Sequence, residues 1–309
     1  MAEPILPGPL AVRVRAPAKI NLTLRVGWPR PDGFHPLATV YQAVSLYEEV
    51  TAMPADPGVI EVRVTGEGAD QVPTDDRNLA ARAARLLADR VSEPVGVSLV
   101  INKSIPVAAG LAGGSADAAA TLLACSALWE LDLDHQDLLP LAAELGSDVP
   151  FALLGGTAVG SGRGESVAPA LGRGNYHWVL AFADRGLSTP AVYRRYDELG
   201  PTPPDPFEVP NGLMNALRSG DAERLGRQLI NDLQAPALDL MPPLRKLVAA
   251  AHDYQALGVT VSGSGPTVAF LASDEADAID LTVALSASGL CRSARYVTGP
   301  VPGARILPI

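Results

Sequence analysis

Lysine and cysteine are scarce in this chain of 309 residues. Three of its 24 basic residues are lysines, at positions 19, 103 and 246, and all the others are arginines. In a chain so biased towards arginine, a lysine is expected where the chemistry needs a compact ammonium group. The two cysteines, Cys125 and Cys291, are far apart and match no metal-binding or redox spacing.

Long apolar runs and an excess of positive charge are also missing. No cationic stretch followed by a long apolar core opens the chain, and no apolar run reaches about 18 residues, so neither a signal peptide nor a membrane span is expected. The simplest location is the cytoplasm. A formal net charge of -10 argues against broad nucleic-acid binding, which needs a basic surface, but it does not exclude a small anionic ligand.

Two common nucleotide-binding motifs are absent as well. The chain contains no Gly-Lys dipeptide, which excludes a phosphate loop of the GxxxxGK[ST] type. No GxGxxG follows a strand and opens a helix, because GSGRGE at 160–165 leads into a segment with proline and glycine. Neither P-loop nor Rossmann-type nucleotide binding is therefore indicated.

The order of the predicted strands and helices favours an α+β fold. The early strands follow one another with few helices between them, which is atypical of a doubly wound parallel sheet. Pro17 interrupts the first strand segment and predicts a kink there. Strands are predicted at 11–26, 37–52, 59–65, 95–101, 151–159 and 176–183, on both sides of a glycine turn within 258–271, and at 292–298. Helices are predicted at 78–91, 115–130, 135–145, 190–199, 211–219, 221–231, 241–253 and 274–288.

The most informative segment is PVAAGLAGGSADAA at 106–119. It places Gly110, Gly113 and Gly114 just before Ser115 and an alanine-rich run that predicts a helix. A glycine-rich turn that leads into a helix N-terminus offers unpaired N–H groups and the positive end of the helix dipole, which together bind phosphate. The alternative is an ordinary tight loop before a helix, since glycine is frequent in loops.

Other segments give this loop a context. They are PAKINLTL at 17–24, GSDVP at 146–150 and VSGSGPTVAFL at 261–271. Together with the loop they resemble the superfamily of galactokinase, homoserine kinase, mevalonate kinase and phosphomevalonate kinase, the GHMP kinases. RPDGFHPL at 30–37 and LSTPAVY at 187–193 are similar to the branch that phosphorylates a cytidine diphosphate ester of methylerythritol. The resemblance extends over nearly the whole chain.

The resemblance implies a two-domain GHMP kinase fold of the α+β class. Residues 1–165 are expected to resemble domain 2 of ribosomal protein S5 and to carry the phosphate loop and the catalytic residues, and residues 166–309 to be ferredoxin-like. The implied reaction transfers the γ-phosphate of ATP to the 2-hydroxyl of 4-diphosphocytidyl-2-C-methyl-D-erythritol in the non-mevalonate pathway of isoprenoid synthesis. The implied cofactors are ATP and Mg²⁺. The expected partner is this small-molecule substrate, with no nucleic acid and no membrane, and the protein is expected to be a monomer or a weak homodimer.

Lys19 and Asp148 are the catalytic residues that the resemblance implies. The aspartate takes the proton of the substrate hydroxyl, and the lysine keeps that carboxylate ionised and stabilises the transferred phosphoryl group. Without the resemblance, Lys19 is a lysine at a strand edge and Asp148, just before Val149-Pro150, caps a helix. No dedicated metal ligands are predicted.

The glycine loop is expected to hold the phosphates of ATP through its backbone. Ser115 either adds a hydroxyl to a phosphate or to magnesium, or caps the helix, and both roles are compatible. Asp117 is expected in the first turn, where it complements the helix dipole. The implied cofactor-binding residues run along the loop: Pro106, Val107, Ala108, Ala109, Gly110, Leu111, Ala112, Gly113, Gly114, Ser115 and Ala116.

The nucleotide end of the substrate needs a flat slot and hydrogen bonds to a base edge. Phe34 and Tyr193 are the expected stacking residues, and His35 is expected to bind the cytosine edge. The family often has tyrosine at the position of Phe34, so stacking is retained here but a phenolic hydrogen bond is not.

Three further residues are expected near the substrate. Asn21 follows Lys19 and is expected to orient either the erythritol or Lys19 itself. Gly263 and Ser264 belong to the turn SGSGPT, which is expected to back the phosphate site, with a simple hairpin turn as the alternative. Many relatives have a small residue at the position of Pro266, so the turn is expected to be stiffer in this chain.

Two alternatives to this function remain open. One is another GHMP kinase of the homoserine or mevalonate type. Phe34, His35 and Tyr193 argue against it, because homoserine and mevalonate have no base to stack. The other is a non-catalytic nucleotide-binding protein of the same fold, against which the intact pair Lys19 and Asp148 argues.

Overall fold

The computed structural model describes residues 11–204 and 207–308, which form two β-sheets and the helices packed against them. The strands are β1 (Val12–Val26), β2 (Leu37–Pro54), β3 (Ile60–Gly66), β4 (Val97–Lys103), β5 (Thr157–Ser161), β6 (Ser166–Pro169), β7 (Tyr176–Phe182), β8 (Ile230–Asn231), β9 (Gly258–Val261), β10 (Val268–Ala272), β11 (Ser293–Gly299) and β12 (Arg305–Ile306). The helices are α1 (Leu79–Ala88), α2 (Gly113–Leu128), α3 (His135–Leu145), α4 (Val149–Leu154), α5 (Thr189–Leu199), α6 (Asn211–Ser219), α7 (Ala222–Gly226), α8 (Gln234–Leu240), α9 (Pro243–Asp253) and α10 (Glu275–Ala287).

The first sheet is built around β1 and β2, which pair antiparallel along most of their length. Its strand order is β12-β1-β2-β4-β3, with β8 beside β1 and the hairpin β5–β6 attached to β2. The kink predicted at Pro17 is a register shift between Pro17 and Ala18 within one continuous strand. Proline has no N–H for the ladder, and the sheet accommodates it as an irregularity rather than ending the strand.

The second sheet has the strand order β11-β7-β10-β9, and all its neighbours are antiparallel. Helices α5 to α9 lie between β7 and β9 in the chain, and α10 lies between β10 and β11. Because β7, β9, β10 and β11 are its first to fourth strands, this is the βαββαβ arrangement of a ferredoxin-like fold. The α+β class and the ferredoxin-like C-terminal half are confirmed.

The first sheet contains strands from both sides of the predicted domain division. Val14 and Arg15 of β1 pair with Ile306 and Arg305 near the end of the chain. β8 also joins the first sheet, and the division predicted between 165 and 166 falls inside the hairpin of β5 and β6. The division at this peptide bond stays a prediction.

Helix α2 lies in the centre of the N-terminal half. Twelve of its 16 residues are buried, and eight of these twelve have the small side chains of alanine, serine, threonine or cysteine. Small side chains let the helix approach β1, β2 and its neighbouring helices closely, which fixes the position of its N-terminus. The glycine loop therefore leads into a rigid part of the core.

The predicted strand at 151–159 is wrong in its first half. Val149–Leu154 is a short helix with proline in its first turn, and only Thr157–Ser161 is a strand. Its apolar side chains are buried on every side, so the pattern does not distinguish a helix from a strand. The helix predicted at 221–231 is also too long, because it ends at Gly226 and β8 follows, and α8 (Gln234–Leu240) is not predicted.

None of the helices in the described residues is long and apolar enough to cross a membrane.

Candidate active site

A cavity of about 840 Å³ lies where the two sheets meet. Its wall is formed by the loop before α2, by β1 and β2, by the start of α4, and by α5 and the turn between β9 and β10. The predicted catalytic and substrate-binding residues all line this one cavity: Lys19, Asn21, Phe34, His35, Asp148, Tyr193, Gly263 and Ser264. The structure thus brings together segments that are separated by more than two hundred residues in the chain.

The carbonyl groups of the glycine loop are bound by donors outside it. Those of Ala108 and Ala109 accept from the backbone N–H groups of Leu187 and Thr267, at 3.4 and 3.3 Å. The Gly110 carbonyl accepts from the Ser262 hydroxyl at 3.1 Å, and the Leu111 carbonyl accepts from the Lys19 N–H at 3.2 Å. Among the described residues, no acceptor binds the N–H groups of residues 107–112. The loop therefore offers its donors to an anion in the cavity.

The helix after the loop begins two residues earlier than predicted. Gly113 is its first residue, and Ala112 precedes it in a left-handed conformation, with φ 60° and no side-chain cap. Ser115 is therefore inside the first turn and does not cap the helix, so its hydroxyl is free for another partner. An uncapped helix N-terminus that faces a cavity favours a negatively charged ligand.

Two alanines in the loop have a backbone conformation that L-residues avoid. Ala108 has φ 52° and Ala112 has φ 60°. Each such residue costs about 1–3 kcal/mol, and such residues concentrate where a ligand is clamped. Gly110 also has a positive φ, 78°, which favours glycine. Glycine is required there for a second reason, because a Cβ at this position would lie 2.2 Å from the Ser262 carbonyl oxygen.

Not all of the predicted cofactor-binding residues reach the cavity. Nine of the eleven line it: Pro106, Val107, Ala108, Ala109, Gly110, Ala112, Gly113, Gly114 and Ser115. Leu111 and Ala116 do not, because their side chains are buried in the core, at 1% and 0% exposure. Their backbone groups remain within the loop, so the prediction for these two residues concerns the main chain only.

Lys19 and Asp148 face each other in the cavity. The Lys19 ammonium is buried on β1 and lies 3.6 Å from Asp148 Oδ2. Asp148 precedes α4, but its side chain makes no capping hydrogen bond to the helix. The carboxylate is therefore not used as a cap and is available for a ligand. A carboxylate beside an ammonium at this separation can accept a proton from an alcohol while the cation offsets the developing negative charge.

Asn21 holds the Lys19 ammonium in place. Its Oδ1 accepts from Lys19 Nζ at 2.8 Å, and its Nδ2 donates to Thr39 Oγ1 at 2.8 Å. The Thr39 hydroxyl in turn donates to the Thr23 carbonyl at 2.7 Å. All of these side chains are buried, so the chain of hydrogen bonds restricts the lysine to one orientation. Asn21 is expected to orient either the erythritol or Lys19, and in the structure its side chain contacts Lys19.

The turn between β9 and β10 closes the cavity beside the lysine. A Cβ on Gly263 would lie 3.1 Å from Lys19 Nζ, so only glycine fits at this position without displacing the ammonium. The Ser264 hydroxyl forms a hydrogen bond of 2.8 Å with the Thr189 hydroxyl at the start of α5. The same turn packs on Gly110, so it backs the loop as the motif predicts.

The aromatic residues form the opposite end of the cavity. Phe34 is half exposed on the turn before β2, whereas Tyr193 on α5 is largely covered, and burial raises its pKa well above the usual value for a phenol. The rings of His35 and Tyr193 lie 5.4 Å apart. His35 Nδ1 is 2.8 Å from the Gly27 carbonyl oxygen, and Nε2 is 3.2 Å from a carboxylate oxygen of Asp197. Both ring nitrogens therefore face acceptors, which fixes the plane of the imidazole.

Several cavity residues are missed by the sequence patterns, and Tyr41 and Arg163 are two of them. The Tyr41 ring on β2 lies 5.6 Å from the Lys19 ammonium, and burial together with the charge of Asp148 raises its pKa. Arg163, in the GSGRGE turn, has its guanidinium 4.7 Å from the centre of the Phe34 ring. Tyr41 lies in an ordinary strand pattern and gives no signal, but the GSGRGE motif is a recognisable turn that the predicted function leaves without a role.

A buried group of three charges lies beside the loop, and it is also missed. Two of its members, Lys103 and Asp117, line the cavity, and Glu48 does not. Lys103 Nζ is 2.6 Å from both Glu48 Oε1 and Asp117 Oδ2, and all three side chains are almost fully covered. Burial and the neighbouring Asp117 raise the pKa of Glu48 to about 7, while Lys103 opposes that shift. Burial also raises the pKa of Asp117.

The role expected for Asp117 at the helix dipole is wrong. Because α2 begins at Gly113, Asp117 lies in its second turn, and no acidic residue lies in the first. Its carboxylate instead pairs with Lys103, which joins α2 to the end of β4.

A two-sheet α+β fold with a backbone loop for anions and a lysine–aspartate pair defines a class of small-molecule kinases. The family model for the GHMP kinases N terminal domain matches residues 78–156, and that for the GHMP kinases C terminal matches residues 213–289. Over 298 residues the chain is 53% identical to 4-diphosphocytidyl-2-C-methyl-D-erythritol kinase of Mycobacterium tuberculosis, covering 96% of this chain and 93% of the relative. The same enzyme of Mycobacterium marinum is 54% identical, with 96% of this chain and 92% of the relative covered. The chain therefore belongs to the GHMP kinase family and, within it, to the 4-diphosphocytidyl-2-C-methyl-D-erythritol kinases.

Solved structures agree with this assignment. A crystal structure of 4-(cytidine 5'-diphospho)-2C-methyl-D-erythritol kinase superposes with a TM-score of 0.75 at 34% identity, and the match covers 94% of this chain and 99% of that one. Homoserine kinase from Cytophaga hutchinsonii superposes with a TM-score of 0.77 at 18% identity, over 98% of this chain and 99% of that one. At that identity the second match concerns the fold alone. The predicted family, the predicted fold class and the kinase assignment are confirmed.

Proposed function

We propose that this kinase transfers the γ-phosphate of ATP to the 2-hydroxyl of 4-diphosphocytidyl-2-C-methyl-D-erythritol. The observation that carries the proposal is the position of the Lys19–Asp148 pair. It lies in one cavity between a loop with free N–H groups and a set of aromatic side chains. Phosphoryl transfer needs the attacking and leaving oxygens in line, so a donor site and an acceptor site must flank the catalytic pair.

Asp148 is the proposed general base. Its carboxylate accepts the proton of the attacking hydroxyl, and a positioned base of this kind contributes about 10²–10⁴-fold to the rate. The Lys19 ammonium stabilises the negative charge that develops on the attacking oxygen and on the transferred group. Asn21 keeps the ammonium pointed at both, through the hydrogen bond of 2.8 Å.

The loop of residues 106–116 is proposed to hold the ATP phosphates. Its carbonyl groups are turned towards other segments, so the phosphate oxygens meet N–H donors and the start of α2 instead of carbonyl oxygens. The donors are fixed before ATP binds, because the loop is hydrogen-bonded to β1, to the 262–267 turn and to the segment before α5. A site that needs no rearrangement loses little free energy when it binds its ligand.

Mg²⁺ is the proposed metal cofactor. The described residues contain no group of three or more His, Cys, Asp or Glu side chains that could hold a metal ion on its own. This suits Mg²⁺, which in kinases is held by nucleotide phosphates, water and only one or two protein groups. The free hydroxyl of Ser115 in the first turn of α2 is the proposed protein contact. The ion would neutralise phosphate charge.

The cytosine ring is proposed to bind at the aromatic end. Phe34 and Tyr193 offer ring faces beside His35. Both ring nitrogens of His35 face protein acceptors, so its proposed contact with the base edge requires the base to displace the half-exposed Asp197 carboxylate from Nε2. Arg163 adds a positive charge beside Phe34, where the diphosphate of the substrate needs one. These side chains distinguish the proposed acceptor from homoserine and mevalonate, which have no base.

A coupled assay of ADP release tests the proposal. The purified kinase is given ATP and Mg²⁺ with the cytidyl substrate, with mevalonate or with homoserine as the acceptor. Turnover is expected with the cytidyl substrate at a kcat/KM at least a hundredfold above the other two, since a base-binding site left empty loses several contacts. Turnover of mevalonate or homoserine without the cytidyl substrate would reject the proposal.

We propose that the enzyme binds its small-molecule substrates and no nucleic acid or membrane. The acidic net charge of -10 supports a protein that binds no nucleic acid. We propose a cytoplasmic location and a monomer or weak homodimer. We also propose the division into residues 1–165 and 166–309, as the two halves that meet at the cavity.

A further inference from the structure

Glu48 is a fully buried carboxylate that the proposed mechanism does not use. It lies on β2 and contacts the two residues just before the glycine loop, which are 56 and 57 residues further along the chain. Its Oε2 accepts from the Ser104 N–H at 2.9 Å, and its Oε1 accepts from the Ile105 N–H at 3.3 Å. These are the last two N–H groups before the loop, so their acceptor sets the direction in which the chain enters it.

The same carboxylate also packs against the end of the loop. A Cβ on Gly113, the first residue of α2, would lie 3.1 Å from Glu48 Oε1. Lys103 strengthens the connection, because its ammonium bridges Glu48 to Asp117 on α2 at 2.6 Å to each. One carboxylate thus touches the residues on both sides of the loop.

We propose that Glu48 is a positioning residue that clamps the two ends of the phosphate loop and so sets the affinity for ATP. It acts through the backbone of residues 106–112 and touches neither substrate. The inference rests on the proposed function, because it assigns this loop to the ATP phosphates. Glu48 accepts from two successive backbone N–H groups at once, which suits a clamp that must hold a strained loop.

Glu49 provides a matched control on the same strand. Its side chain points to the opposite side of β2, as strand geometry requires, and pairs with Arg13 on a partly exposed face of the sheet. Glu49→Gln removes a carboxylate one residue away without touching the loop. Glu48→Gln keeps the volume of the side chain but places an amide NH₂ among the donors of Ser104, Ile105 and Lys103, so at least one contact is lost.

The test is isothermal titration of ADP and, separately, of the cytidyl substrate. For Glu48→Gln we expect the Kd of ADP to rise about tenfold, which corresponds to about 1.4 kcal/mol, while the Kd of the cytidyl substrate changes less than twofold. Glu48→Asp, which keeps the charge on a shorter side chain, is expected to recover part of the loss, and Glu49→Gln to behave as wild type. A purely structural role lowers the melting temperature but leaves the ADP affinity of the folded protein unchanged, and that result would overturn the inference.

Hydrogen exchange on the wild-type protein tests the clamp even where a variant does not fold. Without ADP, the amides of Ser104 and Ile105 are expected to be protected, whereas those of the loop become protected only when ADP is added. Exchange of Ser104 and Ile105 as fast as the loop in the free protein would contradict the clamp. Failure of the wild type to bind ADP at all would reject the proposed function itself, so the two failures are distinguishable.

Discussion

The two ends of the cavity are built in different ways. At the proposed phosphate end, the groups offered to the cavity are backbone N–H groups of a loop whose carbonyls and flanking residues are hydrogen-bonded from several directions. At the aromatic end, the ligand-facing groups are side chains, and Phe34 and Arg163 lie on exposed turns. Changes at the first end are therefore expected to alter folding and ATP binding together, and changes at the second to alter only the affinity for the acceptor.

The largest effect is expected between the two ends, at the catalytic pair. Asp148→Asn keeps the shape of the side chain but cannot take a proton, so kcat is expected to fall about 10²–10⁴-fold while ADP binds as before. Steady-state kinetics and titration of ADP measure the two quantities, with the exposed Asp253→Asn as a surface control. A kcat within a few fold of the wild-type value would remove Asp148 from the mechanism.

At the phosphate end, Gly110→Ala tests the packing of the loop on the 262–267 turn. The new Cβ meets a carbonyl oxygen at 2.2 Å in a left-handed conformation, so the free energy of unfolding is expected to fall by about 3 kcal/mol, and ADP affinity with it. Gly289→Ala is the control, because φ there is also positive, 70°, but nothing lies within 4 Å. Denaturant titration of Gly289→Ala should show a loss of only about 1 kcal/mol in the free energy of unfolding. Equal losses for Gly110→Ala and Gly289→Ala would argue against tight packing of the loop.

The buried carboxylates beside the loop predict a pH dependence of stability. The pKa of Glu48 is about 7 in the folded protein against 4.5 in the unfolded chain, so between these values the folded state holds a proton that the unfolded state has lost. The unfolding free energy is therefore expected to fall as the pH rises from 4.5 to 7, by on the order of 2–3 kcal/mol, and then to level off. Denaturant titration at several pH values should give a flatter curve for Glu48→Gln than for Glu49→Gln, and parallel curves would contradict the raised pKa.

At the aromatic end, Phe34→Ala removes one face of the proposed base slot. Stacking on a base is worth roughly 1–3 kcal/mol, so KM for the cytidyl substrate is expected to rise about tenfold, with KM for ATP and the melting temperature unchanged. Phe34→Tyr should retain the wild-type value. Trp28→Ala, an exposed aromatic residue that does not line the cavity, is the matched control, and a loss as large as that of Phe34→Ala would show a general effect of the surface.

The smallest effect is expected at Arg163. Arg163→Gln removes an exposed charge near the proposed diphosphate site, and exposed pairs are worth about 0.2–1 kcal/mol, so KM for the cytidyl substrate should rise up to about fivefold. The effect should shrink at high salt, because exposed charges are screened. Arg82→Gln, on the exposed face of α1, is expected to change nothing. A loss that does not depend on salt would mean that the packing on Phe34 matters rather than the charge.

Much of the fold was predictable because its periodicity is clear. α1 and β9–β10 with their glycine turn fall close to the predicted ranges. The failures have a common cause: Val149–Leu154 and the residues around β8 are short segments whose conformation depends on what they pack against. The start of α2 was missed by two residues, because a left-handed alanine precedes it and no side chain marks the cap.

The candidate site was predictable where its residues lie in motifs and not where they lie in ordinary patterns. Lys19, Asp148 and the glycine loop were singled out because each belongs to an unusual run of residues, and the structure places them around one cavity. Glu48 and Tyr41 were not, since a glutamate or a tyrosine in a strand has many possible environments. Lys103 stood out as one of three lysines, but its two buried partners come from β2 and α2, which are adjacent only in the folded chain.

The sequence by itself determined the membership of the chain in its family, the ferredoxin-like half and which residues form the glycine loop before α2. These depend on local composition and on the order of segments, which the chain carries whether folded or not. The tertiary structure decided which way the loop's carbonyls point, which carboxylate faces Lys19 and which one clamps the loop from behind. Each of these depends on groups far apart in the chain that meet only when the two sheets pack around one cavity.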